Sequence, residues 1–296
     1  MSNELICVAD VKNTLGEGPV WDDIENTLYW VDITEQKLFR YAPSTGKIDV
    51  WKTPSEFGSF ALRQNASGMI FGTKNGIVLY DPQTGIEEQI SPVEDDLPQN
   101  RMNDGKCDPV GRFWCGTIHE VSDPSLRKPI ASVYRVNTDR QVKKMLNGIK
   151  TSNGFAWSPD GKTMYFTDTP TQIISAYDYN METGEISSGR TFATVPKEKG
   201  RPDGATVDIE GCLWSAHFAG GQVTRYSPEG DILKVIHLPV RNVTSCIFGG
   251  EDLSTLYITT ACEDLTDKEL EEQPLAGGLF AIKPNVSGFK MNRFNG

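Results

Sequence analysis

A short phrase recurs six times along this chain, and its spacing limits the folds that the chain can adopt. Each copy opens on a variable residue, continues through a short apolar run and a turn, and ends in a strand-like segment. In four copies a Ser or an Asp stands five residues after the opening position, as in NDGKCDPVGRFWCGT and DGATVDIEGCLWSAH. The copies are 41 to 50 residues apart, which is the period of one four-stranded blade of a β-propeller. The opening residues are Glu17, Phe60, Asn103, Asn153, Asp203 and Thr244.

Each repeat continues with further strand-like segments. Examples are TLYWVDI and KLFRYAP in the first repeat and TMYFTDT and IISAYDY in the fourth, all rich in aromatic and β-branched residues. No segment shows a long 3.6-residue periodicity. A β-sandwich is the alternative fold, but a sandwich gives no reason for six repeats. We therefore predict an all-β protein, a six-bladed β-propeller with a central channel.

The repeats are expected to close into one ring. A single blade cannot bury both of its faces, and no linker or low-complexity stretch interrupts the repeats. The N-terminal segment ELICVAD is strand-like and precedes the first repeat, so we expect it to join the last blade and remove a free sheet edge. Residues 1–296 are therefore expected to form a single propeller domain.

Composition excludes several classes of protein. The net charge of −11 disfavours a nucleic-acid binder, which needs a basic face. No apolar run is long enough for a membrane span, and MSNELICVAD does not resemble a signal peptide. The six cysteines form no C-x-x-C pair and are expected to be free thiols. We expect a cytoplasmic protein with no evident protein partner.

The variable opening residues are expected to meet around the channel axis, because they share one register in six innermost strands. Two of them are carboxylates and two are amides, and no Lys or Arg stands among them. Buried carboxylates are costly unless they are paired, and a hard divalent ion such as Ca²⁺, Mg²⁺ or Mn²⁺ suits these oxygens. A water-filled channel with plain Asp-Gly and Asn-Gly turns is the alternative.

Two long motifs identify a family. QNRMNDGKCDPVGRFWCGT and TSNGFAWSPDGK resemble the regucalcin/gluconolactonase family of sugar lactonases, which also includes senescence marker protein and luciferin-regenerating-enzyme-like proteins. The resemblance covers nearly the whole chain, from LGEGPVWDD to PLAGGLFAI, and implies a six-bladed propeller.

The resemblance also assigns roles to residues. It places one divalent ion on Glu17, Asn153 and Asp203, without distinguishing Ca, Mg, Mn, Zn or Fe. It implies that Arg101 and Asn103 hold the substrate. It also implies that the acidic residue after the GT strand, here Glu120, binds substrate, although Val121 follows where some relatives have a second Glu.

The expected function is hydrolysis of a small sugar lactone to an aldonic acid. A divalent ion can polarise the lactone carbonyl, and Asp203 can act as the general base toward water. No G-x-S-x-G motif is present, which disfavours an acyl-enzyme. The alternatives are a calcium-binding regulatory protein and a propeller esterase or organophosphate hydrolase, but Arg101 and Asn103 favour sugar chemistry.

Other notable side chains are expected to be structural. Trp21 and Trp157 occupy equivalent places in two repeats and are expected to pack between blades. His119 is expected to be structural, and Asp104 either turns the backbone or supports the metal site. Arg127 and Lys128 could meet an acidic lactone, but we expect them to be solvated loop charges.

Overall fold

The computed structural model describes residues 4–296, and in this part of the chain twenty-four strands form six four-stranded antiparallel sheets. The prediction of a six-bladed propeller is therefore confirmed. Residues 1–3 of the predicted domain lie outside the described residues.

The first strand, β1 (Ile6–Ala9), belongs to the last blade and is described with it below. The next strands form the first three blades in chain order. Blade one consists of β2 (Gly16–Asp22), β3 (Thr27–Asp32), β4 (Lys37–Ala42) and β5 (Lys47–Lys52). Blade two consists of β6 (Phe57–Leu62), β7 (Met69–Thr73), β8 (Gly76–Tyr80) and β9 (Glu87–Ser91). Blade three consists of β10 (Asn100–Cys107), β11 (Phe113–His119), β12 (Ala131–Val136) and β13 (Val142–Ile149).

The other three blades repeat the arrangement. Blade four consists of β14 (Ser152–Trp157), β15 (Thr163–Asp168), β16 (Ile173–Tyr179) and β17 (Ile186–Thr194). Blade five consists of β18 (Arg201–Val207), β19 (Leu213–Phe218), β20 (Gln222–Tyr226) and β21 (Ile232–His237). Blade six consists of β22 (Val243–Gly249), β23 (Thr255–Thr260), β24 (Leu279–Ile282) and β1.

Helical structure is confined to connections. Three short 3₁₀ helices cover Pro124–Leu126, Thr169–Thr171 and Lys197–Lys199. One short α-helix, α1 (Asp267–Glu272), lies between β23 and β24. Within residues 4–296 no helix has the length and apolar character needed to cross a membrane.

The ring is closed by β1. Ile6 pairs with Ala281 and Cys7 pairs with Phe280 on β24, as predicted for the N-terminal segment. The innermost strands β2, β6, β10, β14, β18 and β22 each contact the next one, and β22 contacts β2. The first and the last strand of the chain thus share one sheet, and the channel is surrounded by six strands.

Aromatic side chains fill the space between blades. Trp21 stacks on Tyr257 with ring centroids 5.6 Å apart, and Trp157 meets the edges of Trp114 and Tyr179. Both tryptophans are buried, which confirms the prediction that they pack in the core. Such contacts bury large apolar surfaces in favoured ring geometries.

The register of all six innermost strands is irregular at or beside the variable position. A β-bulge re-aims a side chain and increases the local twist. Gly18 and Gly154, which follow Glu17 and Asn153, have φ values of 57° and 67°, where glycine has no Cβ penalty. In blades one, three, four and five the bulges therefore turn one side chain toward the channel.

The prediction that Phe60 faces the channel is wrong. Phe60 is buried in the hydrophobic cluster between blades one and two. Alignment of the strand pairings places Gly58, two residues earlier, at the ring position of blade two. A Cβ on Gly58 would lie 2.2 Å from the carbonyl oxygen of Met102, so the neighbouring strand leaves no room there for a side chain.

The Asp of the phrase fastens the hairpin of blade five. Asp208 is fully buried, and its Oδ1 accepts the backbone N–H groups of Glu210 and Cys212, both at 3.0 Å. Its Oδ2 accepts Nε1 of Trp214 at 2.9 Å and Nε of Arg225 at 2.8 Å. This carboxylate therefore connects the turn, the second strand and the third strand of blade five.

Asp108 does the same in blade three. Its Oδ2 accepts Nε1 of Trp114 at 3.1 Å and Nε of Arg112 at 2.7 Å. The hydroxyl of Tyr179 in blade four donates to the same oxygen at 2.5 Å. We call Asp108 and Asp208, with these hydrogen bonds, the aspartate clamps. The Asp108 clamp additionally links blade three to blade four.

Replacing Asp208 with Ala should destabilise the protein, because Arg225 and Trp214 lose a buried charged acceptor. We expect the free energy of unfolding to fall by about 3 kcal/mol, measured as a lower urea midpoint. Asp231→Ala, which removes an exposed carboxylate from the same blade, is the matched control and should change stability by less than about 0.5 kcal/mol. Equal midpoints for the two variants would contradict the proposed clamp.

Candidate functional site

A cavity of about 70 Å³ lies where the bulged ends of the innermost strands meet the loops above them. Five of the six site residues expected from the sequence line it. These are Glu17, Arg101, Asn103, Asn153 and Asp203. Their side chains come from blades one, three, four and five, so only the closed ring brings them together.

A chain of hydrogen bonds fixes the amide groups of the site. Arg101 Nη1 donates to Asn103 Oδ1 at 2.9 Å, and Asn103 Nδ2 donates to Asn153 Oδ1 at 3.0 Å. Asn153 Nδ2 donates to Thr169 Oγ1 at 2.8 Å, which donates to the carbonyl oxygen of Pro202 at 2.9 Å. We call Arg101, Asn103, Asn153 and Thr169 the amide chain. It leaves the second lone pair of Asn153 Oδ1 free to bind a cation.

The hydrogen bonds of Asn103 limit what its side chain could offer a substrate. Its Nδ2 also donates to the carbonyl oxygen of Ser152 at 3.0 Å, so the two amide hydrogens are both used. Asn103 can therefore offer a substrate only the remaining lone pair of Oδ1. In this arrangement it mainly positions Asn153 and Arg101.

Asp104 supports the site from the adjacent position. It is buried, and its Oδ2 accepts the backbone N–H groups of Gly154 at 2.8 Å and Phe155 at 3.4 Å. These residues directly follow Asn153. The carboxylate therefore holds the backbone of the blade-four bulge, which is the supporting role that the sequence left open.

Glu17 and Asp203, which we call the carboxylate pair, are buried close enough to influence each other's charge. Glu17 is 8% exposed and Asp203 is 5% exposed. Burial raises the pKa of Glu17 to about 8, and the Asp104 carboxylate adds to the rise. Burial also raises the pKa of Asp203 well above its usual value, and the charge of Glu17 raises it further. Both carboxyl groups therefore resist losing their protons unless positive charge is supplied.

The charges of Arg101 and Arg201 lower the pKa values of Glu17 and Asp203, but by less than burial raises them. Within residues 4–296, neither Glu17 nor Asp203 forms an ion pair, and buried Asp203 Oδ1 has no hydrogen-bond partner. In the same part of the chain no three His, Cys, Asp or Glu side chains form a metal cluster, because the third oxygen here is the amide of Asn153. Two carboxylates, one of which has an unpartnered buried oxygen, and one amide oxygen fit a hard divalent cation.

Two neighbouring residues lie outside the cavity. Glu120 does not line it, and its Oε1 accepts Arg101 Nε at 2.6 Å instead. His119 is buried, with its ring nitrogens 3.0 Å from Gln99 Oε1 and 2.8 Å from the backbone nitrogen of Lys128. His119 thus anchors the loop between β11 and β12, in agreement with its expected structural role.

The sequence did not identify several cavity residues. Arg201, Thr169 and Glu263 all line the cavity, and so does Arg127, which was expected to be a solvated loop charge. The RPDG stretch, in which Arg201 stands two residues before Asp203, was the one available signal. Thr169 and Glu263 lie in connections between strands, where the repeat gives no register.

A second cavity occupies the opposite half of the channel. Its volume is about 140 Å³, and Lys106, Ala156 and Thr206 line it, each three residues beyond a ring position. Lys106 Nζ donates to the carbonyl oxygen of Ala205 at 2.6 Å. This cavity contains none of the predicted ligands.

The comparison with protein families agrees with this geometry. A model described as "SMP-30/Gluconolactonase/LRE-like region" matches residues 15–262. The chain belongs to this family. The resemblance seen in the two sequence motifs is therefore confirmed.

Relatives match this gluconolactonase-family chain over nearly its whole length. A 6-deoxy-6-sulfogluconolactonase of Pseudomonas putida is 39% identical over 290 residues, which cover 97% of each chain. A regucalcin of Xenopus laevis is 37% identical and covers 100% of this chain and 99% of its own. The crystal structure of a calcium-binding protein, regucalcin, from Agrobacterium tumefaciens superposes with a TM-score of 0.91 at 29% identity, covering 97% of this chain and 96% of its own.

The pKa of Glu17 predicts how the stability of this gluconolactonase-family protein depends on pH. With a chelator present, folded Glu17 keeps its proton up to about pH 8, whereas an ordinary glutamate loses it near 4.5. Between these values the unfolded chain gains stability by ionising, so the folded state should become less stable as pH rises. We expect the melting temperature to fall by at least about 2 °C more in the wild type than in Glu17→Gln between pH 5 and pH 8.5.

Glu251→Gln, which changes an exposed glutamate, is the control and should keep the wild-type slope. A Glu17→Gln variant that kept the same slope would mean that burial does not hold the proton on this carboxyl group.

Proposed function

We propose that this chain is a metal-dependent sugar lactonase, which hydrolyses the cyclic ester of a sugar acid to the open acid. The observation that carries the proposal is the unpartnered Asp203 Oδ1 within the carboxylate pair, in one cavity with Asn153 and Arg101. Family membership and the lactonase name of the Pseudomonas putida relative also support it.

Glu17, Asn153 and Asp203 would hold the ion. When bound, a divalent cation would polarise the lactone carbonyl, stabilise developing negative charge and favour ionisation of water. The amide chain would keep Asn153 Oδ1 in place through Asn103, while Asp104 would hold the backbone that follows it. The carboxylate pair and the amide would thus be positioned before substrate arrives.

Asp203 would act as the general base. Its Oδ1 has no partner within residues 4–296, so one carboxylate oxygen would bind the ion and the other would accept a proton from the attacking water. Burial, which raises its pKa, also makes its carboxylate form a better proton acceptor. The proton would then be available to the alkoxide that leaves as the ring opens.

Arg101 would orient the substrate. Glu120 and Asn103 hold its Nε and Nη1, and the described hydrogen bonds leave Nη2 available for a substrate hydroxyl or ring oxygen. Polar and charged groups form most of the cavity lining. This polar lining favours a sugar over the apolar substrates expected for an esterase or organophosphate hydrolase.

Calcium binding without turnover is the second candidate. The Agrobacterium tumefaciens neighbour is described as a calcium-binding protein, and the oxygen ligands proposed here suit Ca²⁺. Binding and hydrolysis use the same ligands, so only a turnover measurement separates them.

Lactone hydrolysis by chelator-treated protein should depend on restored Ca²⁺, Mg²⁺, Mn²⁺, Zn²⁺ or Fe²⁺. Proton release from five- and six-membered aldonolactones is the measurement. Asp203→Asn should lower kcat about 100-fold or more, because a general base and a proposed ligand are lost together. Asp231→Asn should keep wild-type activity.

The remaining outcomes separate the alternatives. Calorimetric binding of Ca²⁺ without turnover of any ester would identify a calcium-binding protein. Metal-dependent cleavage of aryl esters or phosphotriesters, with lactones left intact, would identify the esterase alternative.

A further inference from the structure

Three arginines from different parts of the fold line the candidate cavity. Arg101 lies on β10, Arg127 in the loop between β11 and β12, and Arg201 at the start of β18. Burial lowers the pKa of the Arg127 guanidinium, and the charges of Arg101 and Arg201 lower it further. Three mutually repelling cations in one cavity need compensating negative charge.

Arg101 already has its counter-ion. Its Nε lies 2.6 Å from Glu120 Oε1, and its Nη1 donates to Asn103 Oδ1 and to the carbonyl oxygen of Met102. Its charge is therefore largely balanced before a substrate binds.

Arg127 and Arg201 have no such partner. Neither forms an ion pair with any residue in the described range 4–296. Arg127 Nη1 donates only to the neutral Thr151 Oγ1 at 3.3 Å, and its Nε is buried without an acceptor. Arg201 places its guanidinium 5.1 Å from the centroid of the Phe218 ring, a contact that orients the cation without neutralising it.

Two acidic residues at the cavity do not complete the pairing. Glu263 and Asp264 also line it, but neither lies within ion-pair distance of an arginine in the part of the chain that is described. Burial raises the pKa of Glu263, which lessens its tendency to supply a full negative charge. Glu263 and Glu120 act on the charge of Arg127 only from beyond ion-pair distance, and Arg201 acts on Asp203 likewise. Arg127 and Arg201 therefore keep donor groups that no carboxylate in the described range contacts.

We propose that Arg127 and Arg201 form an anion-binding site, the arginine subsite, and that the lactone cleaved here carries an anionic substituent away from its carbonyl. This inference rests on the lactonase function proposed above. The shared chemistry is a carboxylate, sulfonate or phosphate, whose oxygens match the planar donor fork of arginine.

The charge distribution in the cavity gives such a substrate one orientation. A divalent cation held by Glu17 and Asp203 would offset their negative charges, whereas the arginine subsite offers an anionic group two cationic donor groups. The reacting carbonyl is then left to face the proposed cation site. The local field matters because the protein as a whole has a net charge of −11 and would otherwise repel an acidic substrate.

The test compares lactones that differ only in the group at carbon 6. Gluconolactone is the neutral substrate, and its 6-sulfonate, its 6-phosphate and the lactone with a 6-carboxylate are the anionic arms. The readout is selectivity, defined as kcat/KM for the anionic lactone divided by kcat/KM for the neutral one. Wild-type protein should prefer at least one of the anionic lactones to gluconolactone, and the preferred lactone identifies the anion that the subsite binds.

Arg127→Gln and Arg201→Gln should each lower this selectivity about 10- to 100-fold, the effect of losing one charge-assisted hydrogen bond. Lys128→Gln is the matched control, because it removes the same charge from the neighbouring exposed position of the same loop. It should leave selectivity unchanged. Glu263→Gln should raise selectivity, since it removes a like charge near the bound anion. Arg127→Lys, which keeps the positive charge, should retain part of the wild-type selectivity.

Equal turnover of neutral and anionic lactones by the wild type would overturn the arginine subsite while leaving the lactonase function intact. An equal loss of selectivity in Lys128→Gln and Arg127→Gln would also overturn it, because a diffuse loop charge would then suffice. Melting temperatures show whether each variant is folded.

If no lactone is hydrolysed, the proposed function fails, and calorimetry decides the subsite separately. Wild-type protein should then bind 6-sulfogluconate more tightly than gluconate, with the difference lost in Arg127→Gln. Equal affinity for the two sugar acids would overturn the arginine subsite.

Discussion

Closing six sheets into a ring forces one residue from each innermost strand toward a common axis, and the rest of the site depends on this constraint. β1 completes the last blade by pairing with β24, so the first and the last strand of the chain are held in one sheet. The bulges then turn Glu17, Asn153 and Asp203 into the same cavity. Groups that lie 50 or more residues apart in the chain become neighbours because the ring has no other way to close.

The site keeps opposite charges in separate places. Glu17 and Asp203 are acidic and lack a cation, while Arg127 and Arg201 are basic and lack an anion within residues 4–296. If these carboxyl and guanidinium groups formed ion pairs with each other, neither set would be available to bind a ligand. Because they are separate, the cavity contains two sets of groups without an ion-pair partner. The carboxylates suit a metal ion, and the arginines suit an anionic group.

The repeat allowed the carboxylate pair and Asn153 to be predicted, because ring positions follow the blade period. Phe60 was misplaced because its copy of the phrase is irregular and its ring position, Gly58, carries no side chain to mark it. Arg127 and Thr169 lie in connections, whose course is set by contacts between blades and not by period. The use of both Asn103 amide hydrogens was likewise invisible, since its acceptors belong to another blade.

The buried aspartates explain how the ring residue can vary while the phrase around it stays fixed. Asp108 and Asp208 lie five residues beyond Asn103 and Asp203 on the same segments, and each binds its own turn and a tryptophan of the next strand. These clamps set the far end of the innermost strand. The bulge at the other end does not have to specify the hairpin, so its side chain can be an amide, as in Asn103, or a carboxylate, as in Asp203, without loss of register. Function and folding use different ends of one strand, which is why the chain can repeat the frame and change the opening residue.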